Sequence, residues 1–538
     1  MFSLAILIGI YSYLIFAIGL LGFLHKETIL LATIIYFLIL IYFFKNKIIE
    51  QFSSLKLISV NIKKYKLESI LIILLVTQAT VNLAGALGPE LGFDALWYHL
   101  TLPKIYLLNH SIVHIPGGLL YYSDMPKLTE MLYTASLAFG RETWAKLIHF
   151  AFGIASCTAL YLLSRKFFDR KIAIITVAIF YSNLVIGWQS ITAYVDLTRT
   201  FFELMALWGF VNFFEKGEKK WLIESAVMLG LAVTTKLLSI GSIFIFILLI
   251  TYYYGFYKKN RRILVSRIFV FVIMVVIIPL PWFIFSFIHT GNLIYPFFSN
   301  TYPISLDINL LNPINFLKEM WVFFTNLPDR ISLLYLVFLP LIVLKFRRFN
   351  VLLKVILIYS IFSVVIWYFT PRTGGGRFIM PYLPAFSIIL AGVINEYMKI
   401  KYFYKFLILL IIIYSVFSIT YRGLANEKYL PVILGKETRV EFLEENLNFS
   451  FGDFYDTDGY LEKNIRPSDR VLLYGFHNLY YVNFPFIDSS WVKKGDTFNY
   501  IATQNTMLPK RFSYWSLIYK NEKTKVNLYS LGGQKWVY

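Results

Sequence analysis

The sequence predicts a polytopic α-helical membrane protein that ends in a small extracytoplasmic α/β domain. Three observations carry that prediction. Apolar residues make up 58% of the chain and charged ones only 15%, too little polar surface for a water-soluble globule of this length. Apolar runs that approach the roughly 20 residues needed to cross a bilayer recur along the chain. Lysines and arginines gather in every second connection between those runs, the mark of cytoplasmic loops.

The runs fall near 4–24, 28–44, 69–87, 143–163, 171–190, 195–214, 221–235, 237–257, 264–288, 331–344, 351–369, 378–396 and 403–421, which predicts roughly 13 helices. The first lacks the basic leader of a cleaved signal and is read as a span. Basic clusters at Lys45 to Lys66, Arg165 to Lys171, Lys216 to Lys220, Lys258 to Arg267, Lys345 to Lys354 and Lys399 to Lys405 share one side if the spans alternate. That side is cytoplasmic, so the amino terminus lies inside and the carboxyl terminus outside the plasma membrane. Lys26 alone argues the other way. The net charge of +20 is spent on this patterning, and no nucleic-acid partner is expected. Cys157 is the single cysteine, which excludes an intramolecular disulfide.

Three parts follow: two amino-terminal spans with their cytoplasmic loop over 1–68, a membrane module over 69–421, and an outer domain over 422–538. In the last, Glu437 to Leu447 reads as helix, while Arg470 to Tyr474, Leu479 to Asn483 and Lys525 to Leu531 read as strands.

With this topology the outer face receives the long loop 88–142. Pro89 and Gly92 end a helix, and Asp94 to Leu100 can start a new one along the interface, with Trp97 and Tyr98 at headgroup level. A helix start favours the ionised form of Asp94; simple N-capping is the alternative. Glu90, Tyr98 and His99 are counted with it as substrate-binding candidates. Farther along, Asp124 and Lys127 flank Pro126, where an acid and a cation could face a sugar or phosphate, or merely cap a helix. A histidine metal site is disfavoured because 110–114 reads as extended.

Three more sites share that face. Asp196 ends a span, with Arg199 and Glu203 one and two turns inward, either lining a cavity or stapling the bundle by mutual pairing. Lys236 ends an apolar segment, where snorkelling is the alternative. Arg372 and Arg377 flank the Gly374-Gly375-Gly376 turn, a place suited to a lipid phosphate or to headgroups.

Gly92-Phe93-Asp94, Tyr122-Ser123-Asp124-Met125-Pro126, Ala193-Tyr194-Val195-Asp196, Thr235-Lys236, Thr290-Gly291-Asn292-Leu293-Ile294-Tyr295-Pro296 and Gly376-Arg377-Phe378-Ile379-Met380-Pro381 together resemble the GT-C superfamily over residues 69–396. The branch is that of protein O-mannosyltransferases and aminoarabinose transferases, which use polyprenyl-phosphate sugars. The chain departs from it at Met125, where a lysine is common, and in its two leading spans. The resemblance implies that Asp94 is the catalytic acid residue and that Arg377 and Lys236 contact the donor phosphate. A phosphate leaving group needs no general acid, so one carboxylate can serve as base toward an acceptor hydroxyl of a lipid, glycan or protein, with inversion. No cofactor is expected, although Glu90, Asp94 and Asp124 could jointly bind a divalent cation. The rival readings are a flippase or exporter of lipid-linked saccharides and a scaffold whose tail binds a partner.

Overall fold

The computed structural model describes residues 1–54, 66–301, 308–325, 329–370 and 375–538. Helices α1 (Phe2–Leu20), α2 (Lys26–Ser54) and α3 (Lys66–Leu87) precede the long loop 88–142, which contains α4 (Thr101–Leu108) and α5 (Leu128–Leu137). The membrane module continues through α6 (Glu142–Ser164), α7 (Arg170–Tyr181), α8 (Leu184–Gln189), α9 (Asp196–Lys216), α10 (Lys219–Thr235), α11 (Ile240–Thr251), α12 (Leu264–Ile277) and α13 (Leu280–Thr290). It closes with α14 (Pro313–Thr325), α15 (Leu334–Lys345), α16 (Val351–Phe369), α17 (Gly376–Ile379), α18 (Leu383–Glu396) and α19 (Lys401–Asn426).

Among the described residues, 8 helices are long and apolar enough to cross a membrane, or 9 if the pair bent by 63° between Ile277 and Leu280 is one span. Pro279 and Pro281 explain the bend, since each removes a backbone donor from the helical ladder. The other predicted segments, 171–190, 195–214, 221–235 and 331–344, fold as α7 with α8, α9, α10 and α15. These are short, or in α9 interrupted by Asp196, Arg199 and Glu203. The protein is a multi-pass membrane protein.

The centre of the bundle is α9 lying along α10, with α6 on the other flank of α9. Gly209 makes that approach possible: a Cβ there would stand 2.9 Å from the Ser225 backbone. Close contact through small residues is how helices associate where lipid supplies no hydrophobic drive.

Beyond α19 the chain builds strands β1 (Val471–Tyr474), β2 (Phe486–Asp488), β3 (Thr497–Phe498), β4 (Tyr500–Gln504), β5 (Ser516–Asn521), β6 (Val526–Ser530) and β7 (Trp536–Val537). The main sheet runs β2-β1-β4-β6-β5, with β1 parallel to both neighbours and the β4, β6 and β5 ladders antiparallel. The helix expected after residue 437 is present as Arg439–Asn446, closed by a capping box between Thr438 and Glu441.

The strand expected at 479–483 does not form. That backbone is used for docking instead: Tyr480 N–H donates to Leu96 O at 3.2 Å, and Tyr481 Oη donates to Glu90 O at 2.9 Å. Lys104 on α4 completes the clamp, reaching Tyr480 O at 2.7 Å, Val482 O at 2.7 Å and Asn483 Oδ1 at 2.9 Å. Burial pulls the Lys104 ammonium down to about 8. Arg439 adds an ion pair to Glu142 at 2.6 Å.

Candidate active site

Two turns of chain far apart in sequence are tied together at one end of the bundle. Lys146 on α6 donates to the carbonyls of Gly85, Gly88 and Pro89, satisfying acceptors that the end of α3 leaves open. Glu90, buried, then accepts from Leu91 N–H at 2.9 Å and Gly92 N–H at 2.6 Å, and its other oxygen accepts from Ala193 N–H at 2.5 Å. Burial pushes this carboxyl up while Lys146 and the amides oppose the shift. Glu90 thus brackets the strap bearing Asp94 to the one bearing Asp196. Its oxygens are engaged with backbone, so it is not the substrate contact expected from the sequence.

Asp94 precedes a π-helical turn, Ala95–His99, and its side chain makes no capping bond. The N-cap alternative is therefore excluded. Its Oδ2 instead accepts from Arg377 Nη1 at 2.6 Å, while its amide donates to Tyr194 Oη at 3.2 Å. Tyr98 Oη stands 3.5 Å from the same carboxylate oxygen, the outer limit of a hydrogen bond.

Arg377 enters from the glycine turn. A side chain at Gly376 would collide with the Asp329 carbonyl oxygen, so this close approach requires glycine. The guanidinium lies 4.9 Å over the Tyr194 ring, and its Nε is 3.8 Å from Asp196 Oδ2. The other Asp196 oxygen accepts from Lys236 Nζ at 2.7 Å. Lys236 occupies an extended residue between the end of α10 and a short 3-10 turn at Leu237–Ser239. The break releases the side chain sideways to Asp196 rather than upward to headgroups, so snorkelling does not describe it. Arg372 lies outside the described residues.

Arg199 and Glu203 pair with each other at 3.5 Å and with Ser239, Ser242 and Tyr382; Asp196 does not join them. His149 on α6 donates from Nδ1 to Thr192 O and accepts at Nε2 from Leu197 N–H, fixing the turn that carries Asp196. Sequence reasoning missed His149, Tyr194, Tyr382 and Glu130, each a polar group inside an otherwise ordinary helix or turn.

Among the described residues, the remaining candidates bond to groups outside this cluster. Lys127 donates to the carbonyls of Tyr122, Ser123 and Met125, which uses all of an ammonium's donors and leaves none for a phosphate. Asp124 accepts from His114 Nδ1 at 2.9 Å and from Ser123 Oγ at 3.0 Å, and caps no helix. His99 Nδ1 bonds Glu130 Oε1 at 2.8 Å. The joint cation site of Glu90, Asp94 and Asp124 is not built: the three carboxyls turn to separate partners, and among the described residues no His, Cys, Asp or Glu group is placed to hold a metal.

The arrangement is a carboxylate at one end of the bundle, ion-paired to an arginine beside a second carboxylate that in turn pairs with a lysine. A helical membrane module with an appended carboxyl-terminal domain is a fold that the chain shares with solved structures. Residues 131–285 match the sequence model of the family described as dolichyl-phosphate-mannose-protein mannosyltransferase. The chain is similar to "Putative mannosyltransferase YkcB" of Bacillus subtilis (strain 168), 24% identical over 178 residues, which cover 33% of this chain and 25% of that protein. Among solved structures it resembles ArnT from Cupriavidus metallidurans bound to undecaprenyl phosphate, with a TM-score of 0.58, 12% identity and coverage of 85% of this chain and 97% of that one. The Archaeoglobus fulgidus oligosaccharyltransferase complex with Zn and sulfate aligns with a TM-score of 0.50, 14% identity and coverage of 86% and 73%.

Proposed function

We propose that the protein is a glycosyltransferase that moves a sugar from a polyprenyl-phosphate donor to an acceptor hydroxyl at the extracytoplasmic face of the plasma membrane. The observation that carries this reading is the Asp94–Arg377–Asp196–Lys236 cluster. Likeness to an undecaprenyl phosphate-bound fold and to mannosyltransferase sequences supports the donor class.

In the proposed reaction Asp94 takes the proton of the acceptor hydroxyl as its oxygen attacks the anomeric carbon. The new carbon–oxygen bond forms as the bond to the phosphate oxygen breaks, and that electron pair leaves with the lipid phosphate. Arg377 and Lys236 hold the departing charge, so the step needs no general acid and no cofactor. One displacement inverts the anomeric centre. Asp196 keeps both cations aimed at the site.

Reconstituted protein given undecaprenyl-phosphate hexoses and cell-envelope acceptors tests the reading. The expected product is a glycosylated acceptor with inverted configuration by NMR. Transfer of the lipid between leaflets with no glycosidic bond formed would establish a carrier instead.

A further inference from the structure

Beside the charge cluster is a small cavity of about 60 Å³, lined by Tyr98, His99, Tyr122, Glu130, Lys127 and Lys236 among others. Two of these, His99 and Glu130, are buried yet each keeps one polar atom, His99 Nε2 and Glu130 Oε2, with no hydrogen-bond partner among the described residues. Leaving such atoms dry costs free energy comparable to a lost hydrogen bond, so an unmet pair beside a cavity marks a ligand contact.

The chemistry of the pair defines that ligand. His99 donates its Nδ1 proton to Glu130 Oε1, which leaves Nε2 as an acceptor in the neutral ring. Glu130 Oε2 is an acceptor as well. Lys127, although on the wall, has its donors occupied by backbone carbonyls. The cavity therefore presents acceptors and calls for a ligand that donates hydrogen bonds. One wall is the Tyr98–Tyr122 stack, centroids 3.7 Å apart and tilted by 4°, flanked by His99 at 4.1 Å from Tyr98 and Tyr121 at 4.1 Å from Tyr122. Tyr98 reaches Asp94 and Lys236 reaches Asp196, so the cavity abuts both halves of the cluster.

We infer that this cavity holds the hydroxyl-bearing edge of the transferred sugar, with Glu130 and His99 accepting from its ring hydroxyls and so favouring the glycosylated lipid over the bare carrier. The volume suits such an edge rather than an isoprenoid tail, since a water molecule's share of liquid volume is about 30 Å³. The inference rests on the transferase reading and adds to it the residues that read the sugar.

The test compares binding of undecaprenyl phosphate and of undecaprenyl-phosphate mannose, glucose and galactose to the purified full chain. The wild type is expected to bind at least one glycosylated lipid tighter than the bare one, and Glu130→Gln to shrink that gap by about 10-fold or more while leaving the bare lipid unchanged. On the wild type, deoxy analogues of the preferred sugar are expected to lose a similar factor at one or two ring positions, a readout that needs no variant to fold. Equal affinity for all deoxy analogues, or an unchanged gap in Glu130→Gln, overturns the inference. Transfer activity without any such gap removes this inference and leaves the transferase reading standing; a Glu130-dependent gap without transfer does the reverse.

Discussion

Arg377 donates to Asp94 at 2.6 Å while its Nε remains 3.8 Å from Asp196. One planar guanidinium thus stands between two carboxylates borne on turns about a hundred residues apart, and a point-charge ammonium cannot span both in that geometry. Arg377→Lys is expected to keep the fold and reduce transfer by about 100-fold or more, by analogy with the loss of an electrostatic contact to a developing anion. Initial-rate assays on protein with unchanged thermal unfolding check it.

Lys236 pairs with a carboxylate that is wholly buried. Removing only the lysine strands that charge, and the expected cost of Lys236→Met is about 3–5 kcal/mol. The double variant Lys236→Met with Asp196→Asn should regain most of the stability but none of the activity. Thermal unfolding in detergent and transfer assays separate the two effects. A double variant with restored turnover would remove both residues from the mechanism.

The outer domain is held by the Lys104 clamp on residues 480–483. Lys104→Met deprives two carbonyls of their donor, so the domain should loosen from the loop that carries Asp94. Limited proteolysis is expected to cut near residues 430–440 at least several-fold faster, and transfer to fall with it. Unchanged proteolysis would mean that the Arg439–Glu142 pair suffices.

Asp488 in β2 gives the outer domain a pH signature. Burial pushes its carboxyl up to about 6 from the usual 3.8, so the folded domain binds more protons than the unfolded one between those values. Stability then falls as pH rises from about 4 to 6. Asp488→Asn is expected to flatten that fall and to raise the unfolding temperature at pH 7, as read by scanning fluorimetry across the range.

Asp94, Asp196, Lys236 and Arg377, which the structure gathers into one cluster, were readable as candidates because three of them stand at the edge of an apolar run and Asp94 in the loop beyond one, where ionisable groups are costly and usually face a cavity or each other. Sequence could not say which way a loop charge turns. Glu90, Asp124 and Lys127 look equally chemical in one dimension, yet their partners are backbone amides, a histidine and backbone carbonyls. Glu130 was illegible for the opposite reason: it lies in an apolar helix, and its partner His99 is 31 residues away. The stretch 479–483 is rich in aromatic and β-branched residues as a strand is, but docking takes up its backbone, the Tyr480 N–H going to Leu96 O and the Tyr480 and Val482 carbonyls to Lys104. The spans were readable from hydropathy, whereas the break at Lys236 and the bend at Ile278-Pro279 needed the structure to place them.

The central claim is that the Asp94 carboxylate accepts the acceptor's proton. The most direct measurement is single-turnover transfer by Asp94→Asn beside its affinity for undecaprenyl phosphate. The asparagine keeps the size of the side chain and loses its basicity, so lipid binding should stay within a few-fold of wild type while transfer falls by about 100-fold or more. Transfer at the wild-type rate in that variant would contradict the account.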